Sequence, residues 1–188
     1  MTGSNLDALK HVIHDIELGA AHLGWDRPDG LFALVHTAQL LNTPGLPEDI
    51  AAGLASGWDH SNEHLSAVAQ ESVPGESLEE TLPRLAWPDE VVGVAVSTER
   101  MIAPASVEKQ APAESKAAAD FIANSPQHQD LRLVVGVLRS GETWCAVRSR
   151  SFDDDSMVGA EANLAPDLVE ALQASLAPTS PVSTATDE

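Results

Sequence analysis

The stretch DLRLVVGVLRSGETWCAVRSR, residues 130–150, decides the fold class of this chain. Two runs rich in β-branched and apolar residues flank Ser140 and Gly141, and a two-residue turn with glycine in second place is typical of a β-hairpin. The chain is therefore expected to contain a β-sheet. The hairpin also carries four of the ten basic residues of the chain: Arg132, Arg139, Arg148 and Arg150.

The proposed turn predicts the register of the two strands. With residues 140–141 as the turn, Leu133 lies opposite Arg148. Successive side chains of a strand point to opposite faces of the sheet. This register therefore places Arg148 and Arg150 on one face and Arg132 on the other.

Three of the hairpin arginines are candidate ligand-binding residues: Arg132, Arg148 and Arg150. A guanidinium group forms paired hydrogen bonds with a carboxylate or a phosphate, so these residues suit an acidic ligand. The alternative is internal ion pairing with Asp130 and the acidic residues 153–155, which lie close in sequence.

Hydrophobic periodicity along the chain predicts an α+β fold. Strands are expected at 31–38, 64–70, 91–102, 130–139 and 142–150, and the main helices at 5–23, 114–124 and 164–176. We expect a five-stranded, mainly antiparallel sheet with the N-terminal, middle and C-terminal helices packed on one face. Residues 1–176 are predicted to form a single domain, and 177–188 a disordered tail.

Charge and composition exclude several classes of protein. The 188 residues carry a formal net charge of −19, which repels nucleic acids and anionic membranes. No apolar run approaches the roughly 20 residues that span a bilayer, and the N-terminus does not resemble a signal peptide. A cytoplasmic location is therefore predicted. The single cysteine, Cys145, lies in a predicted strand and is expected to be a buried, inert thiol.

The segment His60-Ser-Asn-Glu63-His64 matches a zinc-binding pattern, H-x-x-E-H. That pattern needs a helix to bring both imidazoles to one ion, and this segment instead precedes a predicted strand. No metal site, catalytic residue or cofactor is therefore predicted. The alternative in which His60, Glu63 and His64 serve an enzyme stays open.

Several strings resemble an uncharacterised actinobacterial family known by locus names. They are GWDRP (24–28) with LFALV (31–35), LAWPD (85–89), LRLVVGVLR (131–139) and CAVR (145–148). The resemblance implies a soluble bacterial protein and assigns no catalytic residues. The predicted order of elements is also similar to the type III secretion chaperone-like architecture, which includes the YbjN-like proteins.

The function predicted from these observations is a non-catalytic cytosolic interaction module, chaperone-like or adaptor-like. Both faces of the hairpin carry apolar residues, so one face would need cover from a homodimer partner or from an unidentified protein partner. The alternative is a small acidic-ligand-binding protein, or an enzyme, that uses the hairpin arginines or the His60-Glu63-His64 string.

Overall fold

The computed structural model describes residues 4–71 and 77–177, apart from the side chain of Glu79. The strands are β1 (Gly30–His36), β2 (Leu65–Gln70), β3 (Gly93–Ile102), β4 (Gln129–Leu138), β5 (Thr143–Ser149) and β6 (Gly159–Glu161). The α-helices are α1 (Asn5–Leu23), α2 (Thr37–Leu41), α3 (Glu48–Gly57), α4 (Leu78–Thr81), α5 (Ala105–Glu108), α6 (Ser115–Ala123) and α7 (Pro166–Leu176). Apart from Ala177, the predicted disordered tail lies outside the described residues. None of the helices in the described ranges is long and apolar enough to cross a membrane.

The α+β class is confirmed, but the prediction of five strands is wrong. The sheet has six antiparallel strands in the order β2-β1-β3-β4-β5-β6. The additional strand, β6, is three exposed residues long and pairs with β5. Its sequence, Gly-Ala-Glu, has neither the β-branched residues nor the apolar alternation that indicates a strand. Only the pairing with β5 makes it one.

The prediction that the helices pack on one face of the sheet is also wrong. Helix α1 covers one face, where its apolar side chains pack against Leu34, Ala95 and Val134. Helices α4 and α7 cover the other face, where they pack against Val94 and Val135. The central strands are therefore buried on both sides, which accounts for the nearly continuous apolar run of β4.

Helix α1 begins and ends as its sequence predicts. The side chain of Ser4 accepts a hydrogen bond from the backbone N–H of Asp7, and the Asp7 carboxylate accepts one from the backbone N–H of Ser4. This reciprocal pair satisfies two backbone donors that a helix start leaves unpaired. The helix ends at Gly24, whose φ of +84° favours glycine.

The predicted register of the hairpin is wrong by one residue. The backbone N–H of Leu138 donates to the carbonyl of Glu142, which makes the connection three residues long. Gly141 takes a φ of +105°, as three-residue connections require at this position. The shift places Arg132 opposite Arg148, so both side chains lie on the face that α1 covers. A one-residue change in register moves every side chain of a strand to the other face.

Candidate functional site

Arg148 is an internal ion-pairing residue. Its side chain is 2% exposed, and its Nε and Nη2 donate to the two carboxylate oxygens of Glu17 at 2.5 and 3.0 Å. Nη1 donates to Asp153 at 3.1 Å, and Nη2 also donates to Asp155 at 2.6 Å. The hydrogen bonds that Arg148 donates to Glu17 raise the pKa of Arg148 more than any other contact does. Each guanidinium nitrogen therefore already has a protein partner.

Glu17 binds the buried Arg148, and this role was not predicted from the sequence. It is fully buried within the apolar face of α1, 131 residues away in sequence from Arg148. A carboxylate at such a position is rare unless it is paired, because burying an unpaired charge is costly. Its place beside the apolar stripe of Leu9, Ile13 and Ile16 is the signal that could have revealed it.

Arg150 pairs with the connector between α1 and β1. Its two terminal nitrogens donate to the two carboxylate oxygens of Asp26, both at 2.8 Å. These hydrogen bonds lower the pKa of Asp26 below its usual value. The arginine side chain is 41% exposed, and its pairing holds the connector against the end of the sheet.

Arg132 differs from the other two arginines because one of its nitrogens is buried without a partner. Its Nη2 donates to the carbonyl of Gly24 at 2.5 Å and to Glu99 at 3.0 Å. The indole of Trp25 lies 4.4 Å from the guanidinium carbon, measured to the ring centroid. The side chain is 1% exposed, yet Nη1 is buried without a hydrogen-bond partner. Such a group is costly to leave unpaired.

A cavity of about 610 Å³ lies next to Arg132, between α1, α3 and strands β1 to β3. Its walls are mainly apolar, and three glycines leave space along them: Gly19, Gly53 and Gly57. Arg132 and His64 both line this cavity. In the described part of the chain, three side chains have a buried polar atom without a partner, and these two residues are among them.

The His60-Glu63-His64 string lies in the loop between α3 and β2 and does not form a helix. The ring of His60 lies against that of Trp58 at a tilt of 51°, with centroids 4.8 Å apart. The Nδ1 of His64 shares a hydrogen bond of 2.8 Å with the hydroxyl of Thr37. Among the described residues, no group of three or more histidine, cysteine or acidic side chains is arranged to hold a metal ion.

The prediction that Cys145 is buried is confirmed. Its side chain is fully buried in the core between the sheet and α7, and burial raises the pKa of the thiol. A raised pKa keeps the sulfur in its less reactive, protonated form.

The comparisons with known proteins identify a family. No curated protein and no solved structure matches the chain. The chaperone-like topology therefore stays a prediction. A comparison with protein families matches residues 9–177 to the PPA1309-like proteins. That range takes in α1 from Leu9 onward, the hairpin and α7, so it includes all the residues of the cavity and of the arginine ion pairs. The chain belongs to the family of PPA1309-like proteins.

Proposed function

We propose that the protein binds a small, mostly apolar carboxylate in the cavity beneath α1 and does not catalyse a reaction. The observation that carries this proposal is the buried Nη1 of Arg132, which lacks a partner beside a largely apolar cavity. A mainly apolar pocket with few polar groups is the usual form of a small-ligand site. A ligand oxygen at Nη1 would supply the missing hydrogen bond.

The guanidinium group of Arg132 is held in place before any ligand arrives. Trp25 stacks on it, and Glu99 and the carbonyl of Gly24 bind its other terminal nitrogen. A group that is already oriented loses little conformational entropy on binding. A charge-assisted hydrogen bond to a carboxylate is about twice as strong as a neutral one, which favours an acid over an alcohol.

The charges around the cavity argue against a ligand with more than one negative charge. Two cations line it, Arg27 and Arg132, and two carboxylates oppose them, Asp15 and Glu99. This balance leaves no excess of positive charge for a phosphate or another multiply charged anion. A single carboxylate can pair with Arg132, and an apolar body suits the mainly apolar walls of the cavity.

A protein-interaction role is our second proposal. Phe152 and Met157 are 62% and 59% exposed, and they lie in the segment that leads to the edge strand β6. Exposed apolar side chains beside an unpaired strand edge are typical of a docking surface. A homodimer or another protein partner, a chaperone-like or adaptor role and a cytoplasmic location all remain predictions.

The experiment compares two ligands and two variants by isothermal titration calorimetry. We expect dodecanoate, below its micellar concentration, to bind one site per chain and dodecanol to bind at least about tenfold more weakly, because it lacks the charge. Gly19→Leu should abolish binding, because a side chain at this glycine meets no other atom and extends into the open space. Leucine also favours a helix more than glycine does, so the variant should fold.

The control variant is His14→Leu, which places a leucine on α1 at an exposed position that does not line the cavity. It should bind dodecanoate as the parent does. The proposal is wrong if neither ligand binds the parent, or if Gly19→Leu binds dodecanoate as tightly as His14→Leu does.

A further inference from the structure

We infer that the ligand is a linear chain with a carboxylate at one end and a hydroxyl group at the other, and that the hydroxyl binds His64. This inference rests on the proposed function and names its ligand class. It follows from the positions of the two cavity-lining side chains whose polar atoms lack partners, Arg132 and His64.

Arg132 and His64 lie at opposite ends of α1. Arg132 binds the carbonyl of Gly24, immediately after the last turn of the helix. The ring of His64 lies 5.5 Å from the ring of His11, measured between centroids, in the first half of the helix. Thirteen residues separate His11 from Gly24, which corresponds to about 20 Å along a helix. The cavity is therefore long, and the two lining side chains that have an unpaired nitrogen lie near its two ends.

The wall that α1 contributes between these ends is mainly apolar. Helix α1 contributes six residues at helical spacing to this wall, and all but Asp15 are apolar or glycine: Val12, Asp15, Ile16, Gly19, Ala20 and Leu23. Residues three and four apart lie on one face of a helix, so they form a strip along the cavity. Phe32 and Leu65 of the sheet also line it. A long space with a mainly apolar wall favours an unbranched chain over a compact ring.

A hydroxyl group suits the His64 end better than a second carboxylate does. The Nδ1 of His64 is bound to Thr37, whose hydroxyl also contacts Ser66 at 2.7 Å, so Nε2 is the nitrogen left unpaired. A hydroxyl can donate to Nε2 or accept from it, whichever tautomer the ring adopts, whereas a carboxylate can only accept. Asp15 also lines this part of the cavity and pairs with His11, so it would repel a second negative charge.

The test compares ω-hydroxydodecanoate, dodecanoate and dodecanedioate on the full chain by calorimetry, together with shorter and longer members of each series. At the best chain length, we expect the hydroxy acid to bind about five- to tenfold more tightly than the plain acid, the increment of one net hydrogen bond. The diacid should bind no more tightly than the plain acid.

Two histidine variants test whether His64 is the source of the higher affinity for the hydroxy acid. His64→Phe keeps an aromatic ring without nitrogen, so it should bind both acids equally. His36 also has a buried nitrogen without a partner but does not line the cavity, so His36→Phe is the matched control and should keep the difference.

The two proposals fail in different ways. Equal affinity of the parent for the hydroxy acid and the plain acid at every chain length overturns this inference, while binding of the plain acid still supports the proposed function. The inference is also overturned if His64→Phe still binds the hydroxy acid more tightly than the plain acid by the same factor as the parent. If none of the acids binds the parent, the proposed function itself is wrong. The ligand comparison needs only the parent protein, so a variant that fails to fold does not prevent the test.

Discussion

At the scale of single residues, two buried arginines on neighbouring strands have different roles. Arg132 and Arg148 lie directly opposite each other, an arrangement of like charges that is unfavourable unless each is paired. Glu17 pairs with Arg148 and Glu99 pairs with Arg132. Because Asp153 and Asp155 also bind Arg148, that residue has no nitrogen left for a ligand. Arg132 has a buried nitrogen without a partner, Nη1, so it is the candidate site residue.

The ion pair between Asp26 and Arg150 predicts a pH dependence of stability. Hydrogen bonds from Arg150 lower the pKa of Asp26 below its usual value of 3.8 in the folded protein. A carboxylate with a lowered folded-state pKa stabilises the fold above the unfolded-state pKa, and this contribution is lost as the pH falls through the folded-state value. The difference in unfolding free energy between the parent and Asp26→Asn should therefore be constant above about pH 5 and shrink below 3.8.

Urea unfolding at a series of pH values measures this difference. Asn tolerates the φ of +61° at position 26, so the substitution changes the charge with little backbone strain. In an Arg150→Gln background, Asp26→Asn should produce no pH-dependent difference. A difference that persists in that background would show that Arg150 is not the cause of the lowered pKa.

At the scale of elements, the position of α1 on the sheet depends on a glycine in β4. Gly136 faces α1, and a Cβ atom there would overlap the Cδ1 of Ile13 and lie 3.0 Å from Leu9. Overpacking of this kind typically costs about 1–3 kcal/mol. The glycine therefore allows the helix to approach the sheet closely enough for Glu17 to reach Arg148.

We expect Gly136→Ala to lower the free energy of unfolding by about 1–3 kcal/mol. Ile13→Val removes the overlapping methyl group, so it should recover much of this loss in the double variant. Gly53→Ala is the matched control: its Cβ meets no atom within 4 Å, and alanine in place of glycine within α3 should stabilise the helix by roughly 0.5–1 kcal/mol. Urea unfolding of the four proteins tests the prediction, which is wrong if the two glycine variants lose stability equally.

At the scale of the whole molecule, helices cover both faces of the central strands. The exposed hairpin face, which was the reason to expect a homodimer, is therefore absent from β4 in the described fold. The remaining support for self-association is the exposed pair Phe152 and Met157 beside β6. Against it stands the repulsion between two chains of net charge −19.

Sedimentation at low and at physiological ionic strength tests the homodimer. Salt screens the repulsion between the acidic chains, so we expect dimerisation to be stronger at the higher ionic strength. Phe152→Ser should weaken it, whereas Phe121→Ser, at a less exposed phenylalanine on α6, should not. A monomer at tens of micromolar protein in both buffers removes the homodimer.

The elements that the sequence predicted well are those that local physical chemistry decides. Helix α1 was predicted over its full range, because its apolar residues recur at helical spacing and its capping residues flank them. The strands β3 and β4 were also predicted, because a run of β-branched residues favours an extended backbone whatever packs on it. The α+β class and the presence of the hairpin followed from these local patterns.

Register, layers and the candidate site were decided only by the tertiary structure. The three-residue connection that ends at Gly141 placed Arg148 on the same face as Arg132, and no local pattern distinguishes a two-residue connection from a three-residue one here. The second helical layer arose because α7 returns across the open face of the sheet. The cavity lies between residues of α1, α3 and the sheet that are distant in sequence, and Glu17 meets Arg148 across 131 residues. Such contacts depend on how whole elements pack, and hydrophobic periodicity along one segment carries no information about them.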